Sequence, residues 1–334
     1  MKVAVIGVGA MGRNHARIYR DLPGAELVGV ADANAGTARE VAARLGVAPY
    51  ADYTELIERE RPDAVTVAVP TAQHCSTVVR ALELGCHVLV EKPLSVTLEE
   101  GATMVAAAEK GSRVLAVGHV ERFNPALVEL KRRLDAGDLG RVFEAHARRL
   151  GPFPARIRDV GVIIDLATHD IDVLLHLTGS WPARVYAETQ RALNTDREDT
   201  LSGLLRFDNG LTGVLEINWL TPTKIRELSI TGERGMFRVD YLTQDLFFFE
   251  NSRGTATPWG MLEMLRGGVD EGAMTRFSIP KREPLRQELE AFLRAVAGDP
   301  LGAVTGHDGL RALSIALALI ESGNSHQVVE PTPL

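Results

Sequence analysis

The chain has 334 residues, enough for two domains with sizeable cores. A formal net charge of −7 gives no basic footprint for nucleic acid. No apolar run approaches the roughly 20 residues of a membrane span. The first strand begins at Lys2, so no signal peptide is expected, and the expected location is the cytoplasm. Cys75 and Cys86 make neither a disulfide framework nor a metal set, and both fall in segments expected to be buried.

Lys2–Ile6 reads as a short apolar strand, followed by Gly7-Val8-Gly9-Ala10-Met11-Gly12, a G-x-G-x-x-G. A helix is predicted from Arg13 to about Leu22, and a second strand over Leu27–Ala31 ends at Asp32. Gly7 allows a tight turn, Gly9 lets backbone approach a pyrophosphate, and Gly12 lets helix and sheet pack closely. The helix N-terminus offers free N–H groups to phosphates. Asp32 sits where an acceptor for both ribose hydroxyls of NAD belongs. Its carboxylate would repel a 2′-phosphate, so NAD is favoured over NADP.

Strands and helices keep alternating. Helices are predicted over Ala35–Leu45, Tyr53–Arg59, Gln73–Leu84 and Ser95–Lys110, the last with Thr97 as N-cap. Strands are predicted over Ala64–Val69, His87–Val90 and Val114–Gly118. This pattern specifies a doubly wound parallel sheet, with ligands at the carboxyl ends of its strands. The pattern changes near residue 121. The expected division is a dinucleotide-binding domain over 1–121 and a substrate-binding and oligomerisation domain over 122–334.

In the second part, helices are predicted over Asn124–Asp135, Asp165–Leu177, Glu283–Ala297 and Gly306–Gly323. Between them run β segments at Arg141–Leu150, Arg184–Arg191, Asp199–Phe207, Leu211–Leu220, Ile225–Thr231, Met236–Tyr241 and Leu246–Phe249. Asp208-Asn209-Gly210 is a hairpin signal. The fold class is therefore α/β: a Rossmann sheet followed by a large, mostly antiparallel open sheet. One face of that sheet should carry helices and the other is open to a partner subunit. Thr255 to Met274 is expected to be a mobile loop.

Two constellations carry chemistry. Lysine is scarce, six residues against 31 arginines, so Lys92 in Glu91-Lys92-Pro93 stands out at the end of a parallel strand. Its ammonium would point into the cofactor crevice and stabilise a developing alkoxide. Asp165 and His169 are four apart and share a helix face. His169 could take a proton as hydride leaves carbon, with Asp165 orienting the ring or touching substrate. From these residues alone, a histidine satisfied in the core is an equal reading. His176 lies one turn too far round to complete a zinc site with them, so no metal is expected.

Together the G-x-G-x-x-G start, Pro70 with His74 downstream, Glu91-Lys92-Pro93 and Asp165-x-x-x-His169 resemble the glucose–fructose oxidoreductase / inositol dehydrogenase family. The likeness extends over essentially the whole chain. It implies NAD(P)-dependent chemistry on a sugar or cyclitol hydroxyl, with Lys92 and His169 catalytic and Asp165 assisting. It implies cofactor contacts from Gly7, Gly9, Ala10, Met11, Gly12, Asp32, Val69, Pro70, His74, Glu91 and Lys92, and a homodimer or homotetramer built through the second sheet. The stretches Gly118–Pro125 and Arg148–Gly161 resemble the UDP-N-acetylglucosamine 3-dehydrogenase branch. That implies substrate contacts from Arg122, Asn124, Arg148, Arg156, Arg158 and His169, the arginine forks suiting a diphosphate. Asp159-Val160-Gly161-Val162-Ile163-Ile164 departs from the family's glycine-rich run before the catalytic Asp. The expected function is oxidation of a nucleotide-sugar ring hydroxyl. The alternatives are a free inositol or simple-sugar dehydrogenase and a non-catalytic NAD-binding sensor.

Overall fold

The computed structural model describes residues 1–153, 160–193, 196–252, 272–299 and 302–334. Its first half alternates strand and helix: β1 (Lys2–Ile6), α1 (Ala10–Asp21), β2 (Glu26–Ala31), α2 (Ala35–Leu45), β3 (Ala48–Tyr50), α3 (Tyr53–Glu60), β4 (Ala64–Val67), α4 (His74–Glu83), β5 (His87–Glu91), α5 (Leu98–Lys110) and β6 (Leu115–Gly118). The strands pair in parallel in the order β3-β2-β1-β4-β5-β6. Helices cover both faces, which is why β1 and β4 are apolar almost throughout and buried. The three-residue edge strand β3 is too short to leave a sequence pattern. Helix starts follow capping chemistry. Asn34, Asp52 and Thr97 each accept a backbone N–H from the first turn they cap.

The second half contains α6 (Pro125–Asp135), β7 (Val142–Pro152), α7 (Thr168–Thr178), β8 (Pro182–Gln190), β9 (Thr200–Phe207), β10 (Thr212–Asn218), β11 (Leu220–Gly232), β12 (Gly235–Asp240), β13 (Asp245–Glu250), β14 (Met274–Arg276), α8 (Pro284–Val296) and α9 (Gly306–Ser325). The eight strands follow the order β14-β13-β12-β11-β7-β10-β9-β8, antiparallel except where β10 runs parallel to β7. The Asp208-Asn209-Gly210 turn joins β9 to β10, with Gly210 at φ +88°. Residues 255–271 of the expected loop lie outside the described residues, and Met274 opens β14. Cys86 is buried as expected; Cys75 is only partly so.

The last two helices tie the halves together. From α8, Leu285, Leu289 and Phe292 join the first sheet's core beside Val3, Val5, Ala16 and Tyr19. Helix α9 starts in a reciprocal capping box between Thr305 and Asp308. It packs against α5 and β6 on one side and α7 and β8 on the other. Among the described residues no helix is long and apolar enough to cross a membrane.

Candidate active site

At the carboxyl ends of the first sheet's strands lies a cleft of ≈ 1130 Å³. Gly7, Gly9, Met11, Asp32, Val69, Pro70 and His74 line one part, and Lys92, Glu121, Asp165 and His169 another. Two glycines are demanded by the protein itself. Gly7 is at φ +83°, and a Cβ there would lie 2.6 Å from the Ala68 carbonyl oxygen. A Cβ on Gly12 would lie 1.8 Å from the Gly7 carbonyl oxygen. Gly9 is different, because a Cβ there meets no protein atom within 4 Å. Its openness at the N-terminus of α1, on the cleft wall, fits a pyrophosphate approaching the backbone. Asp32 accepts from Val8 N and Asn34 N, both at 2.9 Å, which holds its carboxylate at the cleft edge as a ribose acceptor requires.

His74 acts as a clamp. Its ring nitrogens lie 2.9 Å from the Pro93 carbonyl oxygen and 3.0 Å from that of Val69, joining the end of β4 to the turn after β5. Burial holds its pKa below the usual histidine value. The Lys92–Pro93 peptide bond in that turn is cis.

Lys92 Nζ donates to the Asp165 carbonyl at 2.5 Å and to its carboxylate at 3.0 Å. Asp165 therefore serves the lysine rather than the imidazole ring. An ammonium–carboxylate bond is charge-assisted and stronger than one to neutral imidazole. Asp165 stands on a π-helical turn, Ile163–Ala167, that runs straight into α7. Such turns recur at functional sites. His169, in the first turn of α7, lines the same cleft. Its Nδ1 is buried without a protein partner. Burial, then the charges of Lys92 and Arg149, keep its pKa well below the ordinary value, so the ring is neutral at pH 7. Behind Lys92, the Glu91 carboxylate meets His15 Nε2 at 2.6 Å. Burial pushes its pKa up, but His15 and Lys92 outweigh that and hold it low.

A cofactor cradle, an anchored ammonium and a neutral imidazole on one cleft are the parts of an alcohol dehydrogenase, and relatives agree. Residues 1–119 match the oxidoreductase family described by its NAD-binding Rossmann fold, and residues 127–238 match the GFO/IDH/MocA C-terminal domain. This chain belongs to the GFO/IDH/MocA oxidoreductase family. It is 33% identical to a UDP-N-acetylglucosamine 3-dehydrogenase of Acidithiobacillus ferrooxidans, over 95% of both chains. The solved structure of that protein superposes with a TM-score of 0.85, covering 97% of this chain and 98% of that one. An inositol 2-dehydrogenase of Saccharopolyspora erythraea is 36% identical over 99% of this chain and 96% of its own. The WlbA dehydrogenase of Bordetella pertussis, solved with NADH and UDP-GlcNAcA, shares the fold with a TM-score of 0.81 at 24% identity, covering 100% of this chain and 99% of that one. The protein is thus an oxidoreductase of a family that acts on sugar hydroxyls.

Among the described residues, the oxidoreductase's expected substrate arginines, Arg122 and Arg148, do not line the cleft. Arg122 forms a two-pronged pair with Asp172, at 2.6 and 2.8 Å, and reaches Asp308. Asn124 caps α6 and donates to the Tyr241 carbonyl. Arg148 lies on the outer face of the second sheet, bonded to Glu216 and Glu227. Arg156 and Arg158 lie outside the described residues.

The buried arginine here is Arg149, which bonds Asp170 at 2.6 and 3.1 Å and Glu121 at 2.9 Å. Burial alone would lower its pKa, but Asp170 and Glu121 more than offset that. The signal for it was present. Ala145 and Ala147 are apolar at odd positions of β7, so period-two alternation turns Arg149 inward and Arg148 outward. Arg226, paired with Arg149 in the β11–β7 register, donates to the Leu150 and Ile225 carbonyls on that inner side. His15, His119 and Glu288 also went unpredicted, because their burial arises from contacts distant in sequence.

Proposed function

We propose that this protein is an NAD-dependent dehydrogenase that oxidises a ring hydroxyl of a nucleotide sugar, UDP-N-acetylglucosamine at C3. One observation carries the catalytic reading: the Lys92 ammonium, anchored by Asp165, shares a cleft with a His169 kept neutral. When bound, the nicotinamide supplies the hydride acceptor. Lys92 donates to the substrate oxygen and stabilises its developing negative charge. His169 Nε2 takes the hydroxyl proton, which an imidazolium could not do. Asp165 fixes Lys92. The Asp32 carboxylate supports NAD over NADP.

The substrate reading rests on the 33% identical relative and on the branch-like stretches around Arg122 and Arg149. The 36% identical inositol dehydrogenase supports free cyclitols as the second reading. The outer face of the second sheet, with Leu204 exposed at 49%, supports dimer or tetramer assembly there. The cytoplasm is the compartment that fits an NAD-linked reaction.

The test is NADH formation from NAD with UDP-N-acetylglucosamine, myo-inositol and glucose in parallel, with a ketone trap to pull the equilibrium. Turnover of the UDP-sugar alone is expected. Lys92→Met and His169→Ala should each lower it by about 10²–10⁴-fold while NADH still binds. Turnover of free polyols alone would move the protein to the cyclitol reading. Unchanged turnover in both variants would overturn the catalytic roles.

A further inference from the structure

Asn34, Asp52 and Thr97 each cap a helix with a side chain at its own start. The helical stretch that carries Asp165 lacks such a cap. It opens at Val162 directly behind Gly161, and no side chain at its own start accepts its first N–H groups. The acceptor comes instead from Glu198, 35 positions beyond Ile163. Val162 N donates to the Glu198 backbone carbonyl at 2.9 Å, and Ile163 N donates to Glu198 Oε1 at 3.2 Å. One distant residue thus satisfies two successive donors that helix geometry leaves open. Its acid group also lies at the positive end of the aligned peptide dipoles.

Gly161 is matched to this contact. Its φ lies outside the left-handed region, so its own backbone does not demand glycine. Yet a Cβ built on it would lie 2.0, 2.1 and 2.2 Å from the three heavy atoms of the Glu198 carboxyl group. Glycine at this position makes room for that one group. The segment that supplies Glu198 is itself held on several sides. Asp199 N donates to the Gln190 carbonyl at 2.9 Å, and Trp219 N donates to the Asp199 carbonyl at 3.0 Å. The buried Asp199 carboxylate accepts from Ala192 N at 3.0 Å and from Leu193 N at 2.5 Å. Glu198 therefore reaches the turn from a fixed base.

We propose that Glu198 is a positioning residue for the reaction: docked over Gly161, it fixes the turn through which Asp165 holds Lys92. The proposal rests on the alcohol-oxidising reading above. The connection is continuous. Glu198 holds Val162 and Ile163, and Asp165 N donates back to the Gly161 carbonyl at 3.0 Å. Lys92 Nζ then donates to the Asp165 carbonyl and carboxylate, at 2.5 and 3.0 Å. Both acceptors for the ammonium thus depend on one short piece of backbone. His169 follows four residues after Asp165, so the same turn sets how the ammonium and the base face each other. Without Glu198, two donors at the start of the turn lose their partner, and the turn frays. Lys92 is then held less tightly, and small misplacements are costly where a rate depends on orientation. Glu198 does not line the cleft, so it acts through Asp165 and Lys92, not on substrate or cofactor.

In the NAD-loaded enzyme, Glu198→Ala should lower kcat about 10–100-fold with NADH affinity unchanged. Glu198→Gln keeps an oxygen that can accept from Ile163 N and should recover most of the rate. Gly161→Ala should reproduce the Glu198→Ala defect, and the double variant should be no worse than Glu198→Ala alone. In an Asp165→Ala background, where Lys92 has already lost its carboxylate, Glu198→Ala should cost clearly less than in wild type. A purely structural role would instead add in full. A second arm needs no turnover. The chain has six lysines, so isotope-labelled lysine and the Lys92→Met variant assign the Lys92 ammonium signal by NMR. Its hydrogens should exchange with water faster in Glu198→Ala than in wild type, and at the wild-type rate in Glu198→Gln. If the wild type oxidises no sugar, the functional reading fails, and this signal still decides whether Glu198 fixes Lys92. In an active enzyme, unchanged kcat in Glu198→Ala would overturn the proposal. So would unchanged ammonium exchange, full additivity with Asp165→Ala, or a Glu198→Gln variant as impaired as Glu198→Ala.

Discussion

Gly9 and Gly12 belong to one motif but are required for different reasons, and substitution separates them. A Cβ on Gly12 collides with backbone 1.8 Å away, whereas one on Gly9 enters open cleft. Gly12→Ala should lower the melting temperature and weaken NADH binding together. Gly9→Ala should leave melting unchanged and weaken NADH binding by tenfold or more, about 1.4 kcal/mol. Equal NADH affinity in Gly9→Ala and wild type would place the pyrophosphate elsewhere. Glu288 makes a prediction with a definite sign. Its folded pKa lies well above that of an ordinary carboxyl, because burial disfavours the charged form, so the folded state holds that proton more tightly. Its contribution to stability is fully present below pH 4.5 and is lost as pH rises through the folded pKa. Glu288→Gln lacks this loss, so its melting temperature relative to wild type should climb as pH is raised from 4.5. A difference that stays flat with pH would mean Glu288 is not held protonated.

Secondary structure was legible wherever the signal was local. The G-x-G-x-x-G turn, the Asn-Gly hairpin and the capping residue Thr97 each act within a few positions, and each stands where expected. Boundaries moved where tertiary packing outbid propensity. The first helix begins at Ala10, three residues earlier than read, because its N-terminus must face the cleft directly behind Gly9. The helix read over Asp165–Leu177 is a π-helical turn followed by α7, and that turn lets both Asp165 oxygens of the Lys92 contact face one way. Leu220 joins Ile225–Gly232 in one long strand across a register irregularity. Along β7 the alternation of apolar residues separates Arg149 from Arg148, although the expected substrate contact was Arg148.

At the level of the entire chain, α8 completes the first domain from the far end of the sequence. Phe292 is buried against Val3, Val5 and Tyr19, so Phe292→Ala should cost about 3–5 kcal/mol and weaken NADH binding in step. Urea unfolding followed by NADH fluorescence would check this. A loss confined to stability, with NADH affinity intact, would mean that α8 does not shape the cleft.

The parallel sheet, the cofactor turn, the open second sheet and the candidate pair Lys92 and His169 could all be read from residue order, because periodicity and turn chemistry are local properties of a chain. Which carboxylate holds Lys92, which arginine is buried, and that His15 meets Glu91 are decided by folding. Lys92 and Asp165 are 73 positions apart and His15 and Glu91 are 76, and only packing brings them together. Charge pairing and desolvation depend on distances that no sequence spacing encodes.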